Sequence, residues 1–366
     1  MRYSLISLLA ATSTLSILPS MSHAADAADN ASPDSSSLLN LSLQQLSDTE
    51  VTSVSKKAEK ASQAAAAIYV ITQEDIRRSG MQSIPELLRM VPGIQVAQSG
   101  SSNWNITSRG FDGQFSNKLL VLIDGRTVYT PIFSGVFWDI QNVLLEDVER
   151  IEVIRGPGAT LWGANAVNGV INIITKSAKD TQGTLVTAAT GNQERLGTAA
   201  RYGGTSGDLS YRTYAQYTNN NQEHTIANPV SGASTGMGAG DQWNNTQGGF
   251  RLDWSTSDKE QTTLQGDAYQ GLDNALRFLP STLTPSLFNV VDDTDHVTGV
   301  NVLGRWKHEL SAGSDITLQA YYDDVNREFE FVGSSFHTQT FDIDFQHNLT
   351  LSRNDITWGL GYRRPH

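Results

Sequence analysis

Two apolar runs joined by a glycine-rich turn, Glu149 to Lys176 (ERIEVIRGPGATLWGANAVNGVINIITK), constrain this chain more than any other stretch. Val148, Ile151, Val153 and Ile154 lead in, and Val170, Ile171, Ile173 and Ile174 lead out, all of them residues that favour strands. Between them Gly156, Pro157, Gly158, Gly163 and Gly169 require tight turning or close backbone approach. A phosphate-binding loop would need Lys and then Ser or Thr after its last glycine, but Gly163 is followed by Ala164 and Asn165. A dinucleotide fingerprint needs G-x-G-x-x-G opening a helix, and after Gly156 and Gly158 the next glycine comes two positions late. Nucleotide binding is therefore not expected.

The N-terminus reads as a secretory signal over residues 1–24. Arg2 precedes a mostly apolar run from Leu5 to Leu18, and Ser22-His23-Ala24 offers small residues for cleavage. That run is shorter than the roughly 20 residues a membrane-spanning helix needs. With no cysteine, neither disulfides nor a thiolate metal site can form. The net charge of −12 argues against nucleic acid as a partner. Charged residues make up 17% of the chain, below the roughly 25% of soluble domains, which suits a β-rich protein with a wet interior. Seven histidines are scattered without ligand spacing, so no protein-held metal and no resident cofactor are expected.

Residues 25–59 read as a flexible segment, with a short helix possible at Leu38–Leu46 and strand character at Val51–Val54. A mixed α+β domain follows over residues 60–178. Ile68–Thr72 is a strand, and Thr72 caps a helix that runs through Arg78 and ends at Gly80. Ser83, Pro85 and Glu86 open a second helix that stops at Val91-Pro92-Gly93. Further strands are expected at Ile94–Ala97, Lys118–Asp124, Val148–Arg155 and Val170–Lys176.

From about Gly183 the period changes to two. Leu209, Tyr211, Ala215 and Tyr217 share one face, with Ser210, Arg212, Tyr214 and Gln216 on the other. Phe341, Ile343, Phe345, Leu349 and Leu351 oppose Asp342, Asp344, Gln346, Asn348 and Thr350, and Ile356, Trp358, Leu360 and Tyr362 repeat the scheme. A soluble sandwich also alternates, so the connections decide. Tight turns near Ser206–Asp208, Thr256–Lys259, Ala312–Ser314 and Arg353-Asn354 alternate with long polar loops at Asn219–Gln242 and Gly271–Asp293. Short on one side and long on the other is how outer-membrane barrels are connected, and about nine strands fit before His366.

Val91-Pro92-Gly93, Ser108-Arg109-Gly110-Phe111, Leu122-Ile123-Asp124-Gly125 and Ile154-Arg155-Gly156-Pro157, in this order and spacing, resemble the TonB-dependent outer-membrane receptors, and among them siderophore and iron-complex receptors most. The likeness runs from about Glu50 to Lys176 and more diffusely through the later strands. It implies an α+β plug domain inside a transmembrane antiparallel β-barrel of about 22 strands, a plugged lumen. Residues 183–366 would then be a partial barrel, and the end at Arg363-Arg364-Pro365-His366 suggests a C-terminally truncated chain.

The same resemblance implies energy-coupled import of a scarce ligand, such as a ferric siderophore, and an outer-membrane location in lipid. The partner would be TonB, working with ExbB and ExbD, and it would meet a TonB box near residues 50–56, here Val51, Thr52, Ser53, Val54 and Ser55. That contact adds a strand, so its affinity comes from main-chain hydrogen bonds. Arg109 and Arg155 resemble the plug arginines that meet glutamates of the barrel wall, a pairing that suits guanidinium. Candidate ligand-facing residues on the outward plug loops are Trp104, Phe111, Phe115, Tyr129, Phe133, Phe137 and Trp138, where aromatics would suit a planar chelate. Cobalamin or another substrate of the same family is one alternative, and a passive surface-binding pore without energy coupling is another. A signal-transducing receptor would need a folded N-terminal domain longer than the stretch between Ala24 and Glu50. An enzyme is not expected, since no nucleophile–base motif or metal cluster stands out.

Overall fold

The computed structural model describes residues 50–366 apart from 55, 58, 111–112, 114, 164, 223–237, 239, 281–287, 331–332 and 353. The expected signal, the helix at Leu38–Leu46, and Ser55 and Phe111 lie outside the described residues. Two short strands, β1 (Glu50–Val51) and β2 (Glu59–Lys60), pair antiparallel at the start. Then come β3 (Ile68–Thr72), helix α1 (Gln73–Ser79), helix α2 (Ile84–Leu87), β4 (Ile94–Gln98), β5 (Trp104–Ser108), β6 (Leu119–Ile123), β7 (Arg126–Thr127), β8 (Val148–Arg155), helix α3 (Ala159–Trp162) and β9 (Gly169–Thr175).

A five-stranded sheet in the order β3-β8-β9-β6-β7 carries the first domain, with β6 and β9 parallel and the other pairs antiparallel. Its strands are buried on both faces, hence the continuous apolar runs in the sequence. Leu119, Val121, Ile123, Ile151, Val153, Ile171 and Ile173 face one side, against Ile76 of α1 and Ile84, Leu87 and Leu88 around α2. Leu120, Leu122, Ile154 and Val170 face the other, against Ala166, Trp162 and Val54.

A seven-residue helix is too short to be stable alone; α1 combines the docking of Ile76 with well-made ends. Thr72 Oγ1 accepts from the Asp75 amide at 3.2 Å, and the Thr72 amide donates back to Asp75 Oδ2 at 2.9 Å. Gly80 closes it in the left-handed region, at φ 68°.

Nine consecutive strands form a second, wholly antiparallel sheet: β10 (Gly183–Ala189), β11 (Glu194–Ser206), β12 (Leu209–Asn220), β13 (Trp243–Ser257), β14 (Glu260–Pro280), β15 (Phe288–Ser311), β16 (Ser314–Phe329), β17 (Ser334–Leu351) and β18 (Asn354–Pro365). Among the described residues β10 and β18 each pair with one neighbour, so this sheet is open. Two-residue connections, 207–208, 258–259, 312–313 and 352–353, lie at one end. At the other end the connections are 190–193, 221–242, 281–287 and 330–333.

The expected loop at Gly271–Asp293 is corrected here. β14 and β15 continue through it, paired from Gly271↔Val297 to Pro280↔Phe288, and only 281–287 connects them. Asp273, Asp293 and Asp295 are polar yet buried, so along this part of the ladder the inner face is polar and carries no apolar alternation, while the main-chain bonds continue.

The sheet is inside-out relative to a soluble one. Large apolar side chains, among them Val186, Tyr202, Trp254, Val302, Trp358 and Leu360, are exposed, whereas Arg212, Gln247, Asn301, Arg327, Asp342 and Asn348 are buried. On β15 the outward face reads Leu310, His308, Trp306, Gly304, Val302, Val300. That run is about 34 Å of strand, or about 24 Å of height at a tilt near 45°, the height of the apolar band of a membrane barrel. No helix among the described residues is long and apolar enough to cross a membrane.

Candidate functional site

Plug and barrel wall meet along a polar seam that runs from the short-turn end to the long-loop end. At the short-turn end Asp147, just before β8, ion-pairs with Arg201 of β11 and lies 3.5 Å from Arg212 of β12. Arg212 also donates to the Lys176 carbonyl at 2.7 Å and to Thr175 Oγ1 at 3.0 Å. Lys176 Nζ donates to the Glu146 carbonyl at 2.7 Å, and its partial burial pulls the ammonium below the usual lysine value.

In the middle, Arg126 meets Asp323 of β16 at 2.8 Å, while Arg305 of β15 donates to the Asp124 carbonyl. Gln265 of β14 donates to Asp124 Oδ2 at 2.9 Å, and Gln319 of β16 to the Gly125 carbonyl at 3.1 Å. Near the long-loop end Asp139 pairs with Arg327, which also lies 3.5 Å from Asp295. Every charge in these pairs is largely buried, so each must be matched. A cavity of about 80 Å³ remains along the seam, between Asp124, Arg126, Asn142 and Asp147 on one side and Arg212, Gln247, Asp267 and Asn301 on the other.

Arg109 and Arg155 do not reach the barrel among the described residues. Arg155 Nη1 donates to the Pro92 carbonyl at 3.2 Å, and Arg109, itself at φ 61°, places its guanidinium beside Gly156. Among the described residues, the charges that span the seam include Arg126 on the plug and Arg201, Arg212, Arg251, Arg305 and Arg327 on the wall. A signal for the wall residues was present in the sequence. Each sits on the polar face of an alternating strand, and an arginine there needs an acceptor inside the lumen.

The plug apex is also fastened. The Ser101 amide donates to Asp241 Oδ2 at 2.6 Å, Ser102 Oγ to Asp273 Oδ2 at 2.6 Å, and Trp243 Nε1 to the Ser101 carbonyl at 3.0 Å. A second cavity, of about 480 Å³, opens below this loop between Glu86 and Trp104 of the plug and Gln193, Glu194 and Trp243 of the wall.

Of the candidate ligand-facing aromatics, three form one row. Phe115, 61% exposed, meets Phe133 edge-on at 5.2 Å; Phe133 meets Phe137 edge-on at 5.1 Å. Phe137 then stacks on Phe336 of β17 at 5.7 Å, and Phe336 contacts Phe329 of β16 at 5.8 Å. The Arg327 guanidinium lies 4.5 Å from the Phe137 ring centre. The row therefore crosses from plug to wall at the long-loop end. Trp104 opens β5 under the Arg89 guanidinium at 5.5 Å, and Tyr129 packs against Arg363 at 5.6 Å. Trp138 departs from expectation: it is buried in the plug core, where its large apolar ring fills space beneath the loop.

At the short-turn end, Val51 and Ser53 are fully buried against the second face of the plug sheet. The Ser53 amide donates to Glu152 Oε2 at 2.8 Å, and Trp162 Nε1 donates to the Ser53 carbonyl at 2.7 Å. Val54 packs beside Trp162 and Ile68. Gln346 of β17 reaches the Lys56 carbonyl at 2.9 Å, and Lys57 pairs with Asp355 of β18 at 3.1 Å.

A polar-lined antiparallel sheet with an apolar outer band, holding a separately cored α+β domain against its inner face, defines a plug-in-barrel membrane protein. Residues 60–170 match the TonB-dependent Receptor Plug Domain family. The vitamin B12 transporter BtuB of Vibrio cholerae is 33% identical over 171 residues, covering 47% of this chain and 27% of the relative. Among solved structures, the ferripyoverdine receptor of the outer membrane of Pseudomonas aeruginosa superposes with a TM-score of 0.62 at 14% identity, over 87% of this chain and 44% of that one. The ferric yersiniabactin uptake receptor FyuA from Yersinia pestis gives 0.60 at 16% identity, over 83% and 49%. The FrpB iron transporter from Neisseria meningitidis gives 0.64 at 16%, over 82% and 49%. Residues 60–170 therefore form a TonB-dependent receptor plug domain, and with nine barrel strands among the described residues the chain has the plug-and-barrel fold of these receptors while spanning less than half their length.

Proposed function

We propose that this chain is part of an outer-membrane importer that takes up a scarce ligand, a ferric siderophore first, with energy supplied through TonB, ExbB and ExbD. The observation that carries the reading is the aromatic row Phe115–Phe133–Phe137–Phe336–Phe329, shared between plug and wall at the long-loop end. By the usual asymmetry of such barrels the long loops are extracellular and the two-residue turns periplasmic. A planar chelate entering from outside would then meet this row before the plug.

In the same reading, residues 1–24 are the export signal, 60–178 the plug and 183–366 the barrel portion, and Val51–Ser55 is the TonB box at the periplasmic end. Its place supports this: it precedes the plug, and Lys56 and Lys57 just after it contact β17 and β18 close to their two-residue turn. Arg109 and Arg155 flank the turn after β8 and keep the plug's shape for docking. The 33% identity to a vitamin B12 transporter over 171 residues favours cobalamin as the second reading.

The test is growth of an iron-starved strain carrying the full-length receptor as its sole outer-membrane iron importer, supplied with a panel of ferric chelates. Rescue by at least one chelate, weakened by the double substitution Phe133→Ala/Phe137→Ala, supports the siderophore reading. Rescue of cobalamin-dependent growth alone moves the reading to cobalamin.

A further inference from the structure

The plug meets its wall unevenly. Along β12–β16 long side chains such as Arg212, Arg305 and Arg327 cross to it, whereas on β10 and β11 the facing pairs Thr187↔Ala199 and Ala189↔Gly197 are small. The cavity of about 480 Å³ lies against those small residues and falls within the size range of ligand pockets. Its lining includes the indoles of Trp104 and Trp243 and the acidic residues Glu86, Glu146 and Glu194. Arg77 is the one cation of that lining, and it is bonded to Glu74 at 2.9 Å. Glu86 Oε2 accepts the Gln82 amide at 2.9 Å. No donor among the described residues reaches the Glu194 carboxylate, while Glu86 is near enough to repel it. That carboxylate lies across Gly197, where any Cβ would collide with Oε1. Glycine therefore leaves it its place in the chamber.

We propose that this chamber binds an ammonium group, and that the imported ligand carries a free primary amine beside its chelating groups. A carboxylate drawn out of water needs a matching charge, and indole rings attract cations. Trp104 already holds one, the Arg89 guanidinium, 5.5 Å from its ring centre. No three His, Asp or Glu side chains among the described residues are grouped as metal ligands, and a bare metal ion would leave most of the chamber unfilled. An organic cation matches both the charge and the room: its ammonium meets Glu194 and Glu86, and its alkyl arm lies between Trp104 and Trp243. This deepens the importer reading and rests on it for the chelating part of the ligand.

The experiment is calorimetric titration of the full-length receptor in detergent with a matched pair of probes. One is a linear ferric trihydroxamate ending in a primary amine, and the other is the same chelate with that amine acetylated. A third probe, pentylammonium chloride, contains no chelate. The parent is compared with Glu194→Gln, which removes the charge, and Gly197→Ala, which displaces the carboxylate without removing it. In the parent the amine chelate should bind about tenfold more tightly than its acetylated form. In both variants that gap should shrink below about threefold, with the acetylated chelate unchanged. Equal binding of the two chelates to the parent, or an undiminished gap in the variants, overturns the proposal. If neither chelate binds, the siderophore reading fails for trihydroxamates and pentylammonium decides. Binding to the parent that Glu194→Gln weakens upholds the cation site, and no binding overturns it. If Glu194→Gln does not fold, Gly197→Ala decides alone.

Discussion

Replacing Asp147 by Asn should loosen the plug from its wall without harming the barrel. The Asp147 side chain is 3% exposed and faces two arginines, Arg201 and Arg212, themselves 11% and 7% exposed. Removing one partner of a buried ion pair costs about 3–5 kcal/mol, because the other charge is left without compensation. Arg212 keeps its bonds to Lys176 and Thr175, so the lower figure applies. About 3 kcal/mol corresponds to roughly a hundredfold in an opening equilibrium. Hydrogen exchange read by mass spectrometry on the full-length receptor measures it directly. Amides of β8 and β9 should exchange about a hundredfold faster, while those of β14–β16 stay unchanged. A change below about threefold in β8, with the barrel intact, would show that the pair does not anchor the plug.

Val302→Arg puts a charge in the middle of the apolar band and should destabilise the inserted barrel by about 2–4 kcal/mol, measured by denaturant unfolding in lipid; no effect would misplace the band. Gly169→Ala should disrupt the β8–β9 pairing, since an added Cβ would lie 2.4 Å from the Ile154 carbonyl oxygen, and lower plug protection should appear in the same exchange experiment. Lys176 offers a pH test. Its native value lies below 10.5, so between the two values the unfolded chain holds the extra proton and stability rises with pH. Unfolding midpoints should climb as pH approaches 10.5 from below and flatten in Lys176→Met; the same rise in that variant would assign it elsewhere.

Much of this fold was legible because two periods are written into the chain. β6 is apolar at every position and β8 and β9 are rich in Val and Ile since both sheet faces are covered, and Thr72 and Gly80 mark the ends of α1 as their chemistry demands. The turns at 207–208, 258–259 and 312–313 were equally plain. The upper halves of β14 and β15 were not, because polar residues such as Asp273, Asp293 and Asp295 occupy their buried face and erase the apolar alternation. Among site residues, the aromatics of the loop after Tyr129 could be named but not sorted. Nothing local distinguishes Trp138, which fills the core, from Phe137, which stacks across to the wall. Arg109 and Arg155 were singled out by resemblance, whereas the pairs Asp147–Arg201 and Asp139–Arg327 join residues 54 and 188 positions apart. Long-range partners of that kind follow from strand register rather than from any motif.

In the proposed importer, a plug held in a membrane barrel passes its ligand only when pulled from the periplasmic side. Deleting residues 50–56 from the full-length receptor, and measuring radiolabelled ligand bound and accumulated by energised cells, tests it most directly. Surface binding should persist and accumulation should fall to the level of cells lacking TonB. Accumulation at the undeleted rate would contradict the account.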